Sequence, residues 1–537
     1  MSNSYSTKSF DHLGLVAGMC QELGVAEYFD QAHPNQSEHR HITCGQLVVS
    51  MILNGLGFVG RTLHMYPEYF AEKPLERLIA KGIKPEPIND DALGRCLDEL
   101  YETGVSELYQ GLSERVVTHL DLPCEGINLD PTSLHVDGQY HSDDTETKAI
   151  KLVRGYSRDH RPELNQVVLN LITENQAGIP VYMQAASGNI NDLRGFKSIV
   201  KEHIKSLKSA QRSRYFIADA ALYVAETIQS LDQQKQHFIT RVPPKITQAK
   251  QLIAEQSLAT FEPISEGYSG QWVDSYYADV QQRWLLIRSE QAGKREEKTL
   301  IKKMLKTTEQ TIKTFKKLSL QRFACIKDAE KSLKDWQKKQ TMVSVHHQEI
   351  MAHEIYAKSG RPKRDQVPIR IEYQISGNLA CDLQKRAELQ AQKGLFILAT
   401  NDCSKTLTME KMLSLYKSQQ SVEKGFRFLK SPDFLTSSLY LKKPERIEAL
   451  LMIMTCCLMI YAALEHKIRE RLKTKEMYFP DMKKKPTQRP TARWVFFCFQ
   501  GIHVLSIDNS HQRVLNLEER HQVILNCLGD IYQQIYS

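Results

Sequence analysis

Apolar residues recur at three- and four-residue intervals from Phe10 to about Leu120, with few β-branched runs, and predict a helical N-terminal domain over residues 1–120. Start signals agree, with Thr43 before GQLVVSMIL and Asn89 before DDALGRCLDEL. Beyond residue 120 the period shortens. INLDPTSLHVDG, NQVVLNLITE, IPVYMQAAS, RYFIADAAL and HFITRVP read as short strands, with helical stretches at DLRGFKSIVKEHIKSL and from Val224 to Leu231. That order predicts an α/β fold with a mixed sheet flanked by helices, its first half over 121–242.

From Pro243 the clean order is lost. A hairpin-like piece, QWVDSYYADVQQRWLLI, leads into a basic helical run and then IRIEYQIS, which predicts an insertion domain over 243–390. The β character returns in GLFILATND, followed by an amphipathic helix from Thr408 to Leu429, and these begin the second half of the core over 391–470. The segment Ala449–Leu464 is apolar throughout, yet at 16 residues between Glu448 and Glu465 it is short for a membrane span of about 20 residues. It reads as a buried core helix, so no membrane partner is expected. Residues 471–537 form a basic C-terminal region.

Composition sharpens this outline. The chain has 537 residues, 41% hydrophobic and 25% charged, which fits several globular domains and excludes a disordered or collagen-like chain. Eleven cysteines include no C-x-x-C, so neither a zinc-finger framework nor a secreted disulfide scaffold is indicated. The first residues, MSNSYSTKSFDHLG, lack the apolar core of a signal peptide, and a reduced cytoplasmic protein is the expectation.

The net charge of +8 is mild, but its distribution is not. Lys294 to Gln340 holds 15 basic and six acidic residues, a local +9, and His466 to Arg493 holds ten and three, a local +7. The remainder is therefore −8. A solvated helical face is the plainer reading of one such run; two runs more than a hundred residues apart point toward a polyanion partner.

Gly55, Gly57 and Gly60 spell G-x-G-x-x-G, but a capped helix precedes them where the dinucleotide fingerprint needs a strand, so a helix-ending loop is the better reading. Asp130 lies inside an apolar strand run, where a carboxylate is costly unless paired, protonated or metal-bound. Asp219 closes the run YFIA at the carboxyl end of its strand, where ligand sites gather in α/β sheets. Either alone suits a cap or a turn; as a pair they point to function. In LYKSQQSVEKGFRFLK, residues Tyr416, Gln419, Glu423, Arg427 and Lys430 share one helical face, for which a solvated face is the bland alternative. Gly425 inside that helix costs about 1 kcal/mol of propensity, a sign that backbone or ligand approaches closely there. Three carboxylates, two from a sheet and one from a helix, are what a two-metal phosphoryl-transfer site requires.

At these residues the sequence resembles the DDE transposases of bacterial insertion sequences, in the branch with the signature Tyr-x2-Arg-x3-Glu-x6-Lys. Here that reads Tyr416, Gln419, Glu423 and Lys430, with every spacing kept and Gln in place of Arg. The resemblance extends to INLDPTSL, GYSRDHRPELNQV, GNINDL and FIADAAL, and so spans most of the chain. It implies an RNase H-like core split by an insertion. Asp130, Asp219 and Glu423 become the catalytic, metal-binding triad for two Mg²⁺ ions, with Mn²⁺ as the alternative, and Tyr416 and Lys430 contact DNA phosphates. Gln419 lacks the charged fork of Arg, and Arg427, one turn beyond Glu423, is a partial substitute. Trp272 or Trp284 in the insert is placed to stack on an extruded base, although core packing is the plainer role for both. The resemblance further implies end binding by the N-terminal domain, a dimer on DNA, and as partners the element's own terminal inverted repeats and a target duplex. The expected function is cut-and-paste transposition; the rivals are a DNA-binding protein without catalysis and a nuclease that cuts without joining.

Overall fold

The computed structural model describes residues 5–33, 41–58, 63–136, 149–155, 161, 163–189, 214–255, 260–340, 343–357, 367–419, 425, 441–508 and 511–537, without the side chains of Asp130 and His511. They fall into two compact units. One comprises Met1–Thr240, Tyr276–Gln282 and Thr400–Ser537, and the other Arg241–Ser275 and Arg283–Ala399.

The first unit is built around the apolar segment expected to be core. It forms the helix Pro444–Thr474, buried almost continuously from Leu451 to Ile460, against which helices Leu13–Glu22, Cys44–Leu56, Asp90–Thr103 and Val105–His119 pack. Its length and hydropathy would suffice to cross a membrane, but 83% of its apolar window is buried inside the protein, and packing of its whole circumference accounts for the composition. Arg446 near its start donates Nε and Nη2 to Asp98 at 2.8 and 2.7 Å, a two-pronged tie to the helix Asp90–Thr103.

The helix starts follow the sequence. Thr43 Oγ1 accepts the Gln46 amide at 3.1 Å while Gln46 Oε1 accepts the Thr43 amide at 3.0 Å, a reciprocal capping box. Asn89 Oδ1 accepts the Ala92 amide at 3.0 Å. Gly57 then caps the end of the helix Cys44–Leu56, so a helix and no strand precedes the glycine motif, and the dinucleotide reading fails. Gly45 in the same helix lies against another backbone: a Cβ there would sit 2.0 Å from the Ala26 carbonyl oxygen. Gly45→Ala is expected to destabilise by about 2–3 kcal/mol through that overlap, read as a lowered urea midpoint at unchanged m-value.

One element departs from the helical pattern. Strand β1, Tyr5–Ser9, pairs antiparallel with His503–Ile507, which in turn pairs with His511–Leu515. Tyr536 completes this closure, its ring 4.4 Å from Phe10 and its hydroxyl donating to the Asp11 carbonyl at 2.6 Å.

The sheet of this unit contains β2 (Gly126–Val136), β3 (Asn165–Glu174), β4 (Pro180–Ser187), β5 (Tyr215–Ala218) and β6 (His237–Arg241), in the order β4-β3-β2-β5-β6. The first three form an antiparallel meander, and β5 and β6 run parallel to β2. In sequence order this is 3-2-1-4-5 with the second strand reversed, the RNase H-like arrangement. β3 is buried along nearly its whole length, which explains its unbroken apolar run.

In the second unit β7 (Glu262–Ser265), β8 (Tyr268–Tyr277), β9 (Val280–Ser289) and β12 (Leu395–Thr400) lie in the order β12-β9-β8-β7. A separate hairpin of β10 (Val343–Ile355) and β11 (Arg370–Cys381) packs against two basic helices, Glu290–Ser319 and Ile326–Lys338. Phe315, Leu318, Ala329, Leu333, Val345 and Ile375 form the core of that group.

Candidate active site

Asp219 stands immediately after β5 and is exposed, whereas the four strand residues before it, Tyr215 to Ala218, are fully buried. Its backbone is anchored, since its carbonyl accepts the hydroxyl of buried Thr240 at 2.7 Å and the Leu222 amide at 3.2 Å. Its side chain is oriented too: Oδ1 accepts the Ala221 amide at 2.8 Å, an Asx turn within Asp219-Ala220-Ala221. Oδ2 makes no hydrogen bond among the described residues, and the residue is exposed. A fixed carboxylate with one open oxygen suits a hard divalent cation.

The parallel register bears on the second candidate. Gly126, Ile127 and Asn128 of β2 lie beside Tyr215, Phe216 and Ile217 of β5. Extended two residues past its last pair, Asn128 and Ile217, the same register would bring Asp130 level with Asp219, the residue after β5. On the other side Asp130 pairs with Leu171 of β3. A strand interior paired to its neighbour is a rigid seat for a reacting group.

The third element is the helix Met409–Lys417, started by Thr408, whose hydroxyl accepts the Lys411 amide at 3.1 Å. Met412, Leu413 and Leu415 are buried. Leu415 packs close to Gly126, where a Cβ would lie 3.3 Å from its Cδ2, and Asn128 Nδ2 donates to Ser418 Oγ at 3.2 Å. The helix therefore advances in the same sense as β2, from Gly126 toward the level of Asp130. Tyr416 is half-buried on it, and Gln419 is half-buried beyond its end at Lys417 and the cap residue Ser418. Glu423, Arg427 and Lys430 lie outside the described residues. Gly425 is helical and buried, and a Cβ on it would lie 3.1 Å from Leu458 of the central helix, so close helix packing explains that glycine.

Two other buried carboxylates belong elsewhere. Asp402 follows β12 and bonds Tyr215, the first residue of β5, whose hydroxyl donates to Oδ2 at 2.6 Å. It thus sits near the start of β5, with Asp219 past the other end. Burial pushes its carboxyl up, but hydrogen bonds from Ser404 and Tyr215 outweigh that and bring it down to about 2. Glu174 accepts the amides of Gln176, Ala177 and Ile179 at 2.6, 2.7 and 2.9 Å and closes the β3–β4 turn, while burial pushes its carboxyl up. Both are structural groups that the sequence reading did not single out. Among the described residues no three His, Cys, Asp or Glu side chains converge as a metal site.

In the insert the two tryptophans separate. Trp284 on β9 is 2% exposed and is core. Trp272 on β8 is half-buried, and the Arg283 guanidinium lies 3.9 Å from its ring centroid, so one ring face already carries a cation.

Comparison with known proteins adds the family. No curated protein matches the chain. Among solved structures, the cryo-EM structure of the piggyBac transposase synaptic complex with hairpin DNA is similar at 10% identity, covering 93% of this chain and 83% of that one with a TM-score of 0.37. Residues 5–114 match a domain of unknown function (DUF4277). Residues 125–460 match the model of the transposase DDE domain, well over half of the chain and all of the sheet and helix just described, and the protein therefore belongs to the DDE transposase family.

Proposed function

We propose that the protein is the cut-and-paste transposase of an insertion sequence, acting as a dimer on the terminal inverted repeats of its own element and joining them to a target duplex. The observation that carries this reading is the parallel register of β2 and β5, which extended past Asn128 and Ile217 would bring Asp130, inside β2, level with Asp219, just after β5, within the matched DDE domain. Enzymes of this family use divalent metal ions. Asp130, Asp219 and Glu423 are the residues that would hold two Mg²⁺ ions, which when bound would stabilise charge on the attacking and leaving oxygens.

The rest follows from the chain itself. Thr240 and the Ala221 amide hold Asp219 in one orientation before DNA arrives, so little ordering is left for the reaction step. Asn128 and Ser418 tie β2 to the end of the helix Met409–Lys417, a few residues before Glu423 in the sequence. By their spacing in the sequence Tyr416, Gln419, Arg427 and Lys430 would fall on one helix face and meet the phosphates of the cleaved end, Gln419 by a neutral hydrogen bond only. Water attack at the element end frees a 3′ hydroxyl, and that hydroxyl attacks a target phosphodiester in the same site, displacing the target's own 3′ oxygen.

The reading is tested by incubating the full-length protein with a duplex bearing the element's ends, a plasmid target and Mg²⁺. Excised and joined products are expected. Cleavage without joined products would mark a nuclease, and salt-sensitive binding with no metal-dependent cleavage a DNA-binding protein; either would overturn the proposal.

A further inference from the structure

The long basic helix Glu290–Ser319 carries more cations than its own packing uses. Arg295, Lys298, Lys302, Lys306, Lys313, Lys316 and Lys317 fall within an arc of about 100° at 100° per residue, with Glu309 the one acid among them. All seven are exposed, and none enters an ion pair or a side-chain hydrogen bond among the described residues. At 1.5 Å per residue the row runs about 33 Å, close to one turn of duplex DNA. The core of this group uses other faces, Phe315 and Leu318 here and Ala329 and Leu333 on the next helix. That second helix bears its own exposed row, Lys327, Lys331, Lys334 and Lys338, of which Lys338 approaches Asp335 at 3.9 Å.

Side-chain type decides which DNA this surface suits. Base edges are read by bidentate groups such as Arg, Asn and Gln, whereas lysine is a point charge that attracts phosphate in any sequence. Six of the seven cations in the row are lysine. A terminal repeat must be told apart from other DNA; a target duplex need not be.

We propose that the lysine row of helix Glu290–Ser319 is the docking surface for the backbone of the target duplex. This rests on the transposase reading for the word target, but the binding itself needs no catalysis. The test compares wild type with the combined variant Lys298→Gln, Lys302→Gln, Lys306→Gln and Lys313→Gln in the full-length protein. Affinity is measured by anisotropy across a salt series, on a random-sequence duplex several turns long and on an equally long duplex carrying the terminal repeat. The variant is expected to bind random duplex at least about tenfold more weakly, with a log–log salt slope smaller by about 3.6. Binding of the terminal-repeat duplex should change less than about threefold, and joining of pre-cut ends should fall while end cleavage persists. Lys→Arg at the same four positions should restore the wild-type slope, because charge and not shape is used. If the combined variant does not fold, Lys302→Gln alone should lower the slope by about 0.9. An unchanged slope on random duplex, or an equal loss on both duplexes, would overturn the proposal. A protein that binds random duplex through this row yet cannot cleave would instead sink the transposition reading alone.

Discussion

Asp219→Asn is expected to lower metal-dependent end cleavage by at least about a thousandfold, roughly 4 kcal/mol of transition-state stabilisation, while leaving the fold and DNA affinity unchanged. The substitution separates two roles that one side chain combines. As a turn residue Asp219 needs only an acceptor for the Ala221 amide, and Asn supplies that oxygen in the same place. As a metal ligand it needs the negative charge and the second oxygen, and Asn supplies neither. A purely structural Asp219 thus predicts a nearly silent variant, and a catalytic one predicts an inactive protein of normal thermal stability. The measurement is cleavage rate on end-bearing duplex beside a melting curve and a gel shift on the same preparation. Activity within about tenfold of wild type would remove Asp219 from the site.

Glu22→Gln is expected to destabilise the first unit by about 3 kcal/mol. Glu22 ends the helix Leu13–Glu22 and gathers three donors from three other helices: Lys467 Nζ at 2.5 Å, Tyr532 hydroxyl at 2.8 Å and His119 Nε2 at 2.9 Å. Lys467 is 11% exposed and Glu22 12%, so Gln would leave a nearly buried ammonium without its counter-charge. Burial alone pushes the Glu22 carboxyl up, but the hydrogen bonds from Lys467, His119 and Tyr532 outweigh it and hold it below the usual range. A carboxyl lowered on folding contributes stability above its unfolded pKa, about 4.3, and that contribution is lost as pH falls through the folded value. The variant should therefore melt several degrees lower at neutral pH and show a shallower acid limb in its stability profile. Equal melting temperatures at neutral pH would show that the cluster is solvated in solution.

The parts of this molecule legible in its sequence are those written locally. Thr43 and Asn89 announce helix starts by chemistry within one turn, the run from 449 to 464 announces burial by composition, and β2 to β6 announce themselves by apolar runs between turn residues. Asp219 was legible because a carboxylate at a strand end is a local event. What stayed hidden is written in distant pairings. β1 has no apolar periodicity, and its partner lies some five hundred residues away in His503–Ile507. β10 is mostly exposed and rich in polar residues, so alternation marks no buried face. The Glu22 cluster and the Asp402 contact to Tyr215 join residues far apart in the chain, whose meeting no spacing rule encodes. The pair Asp130 and Asp219 lies between these cases: each residue was visible alone, and only the β2–β5 register bears on whether they meet.

Their meeting is the central claim, and anomalous diffraction from Mn²⁺-soaked crystals of the protein bound to its end DNA tests it most directly. Two manganese peaks about 3.5–4 Å apart are expected beside Asp130 within β2 and Asp219 just past β5, with carboxylate oxygens of both residues about 2.0–2.2 Å from metal, and their loss in Asp219→Asn. Manganese bound elsewhere, with the Asp130 and Asp219 carboxylates too far apart to share an ion, would contradict it.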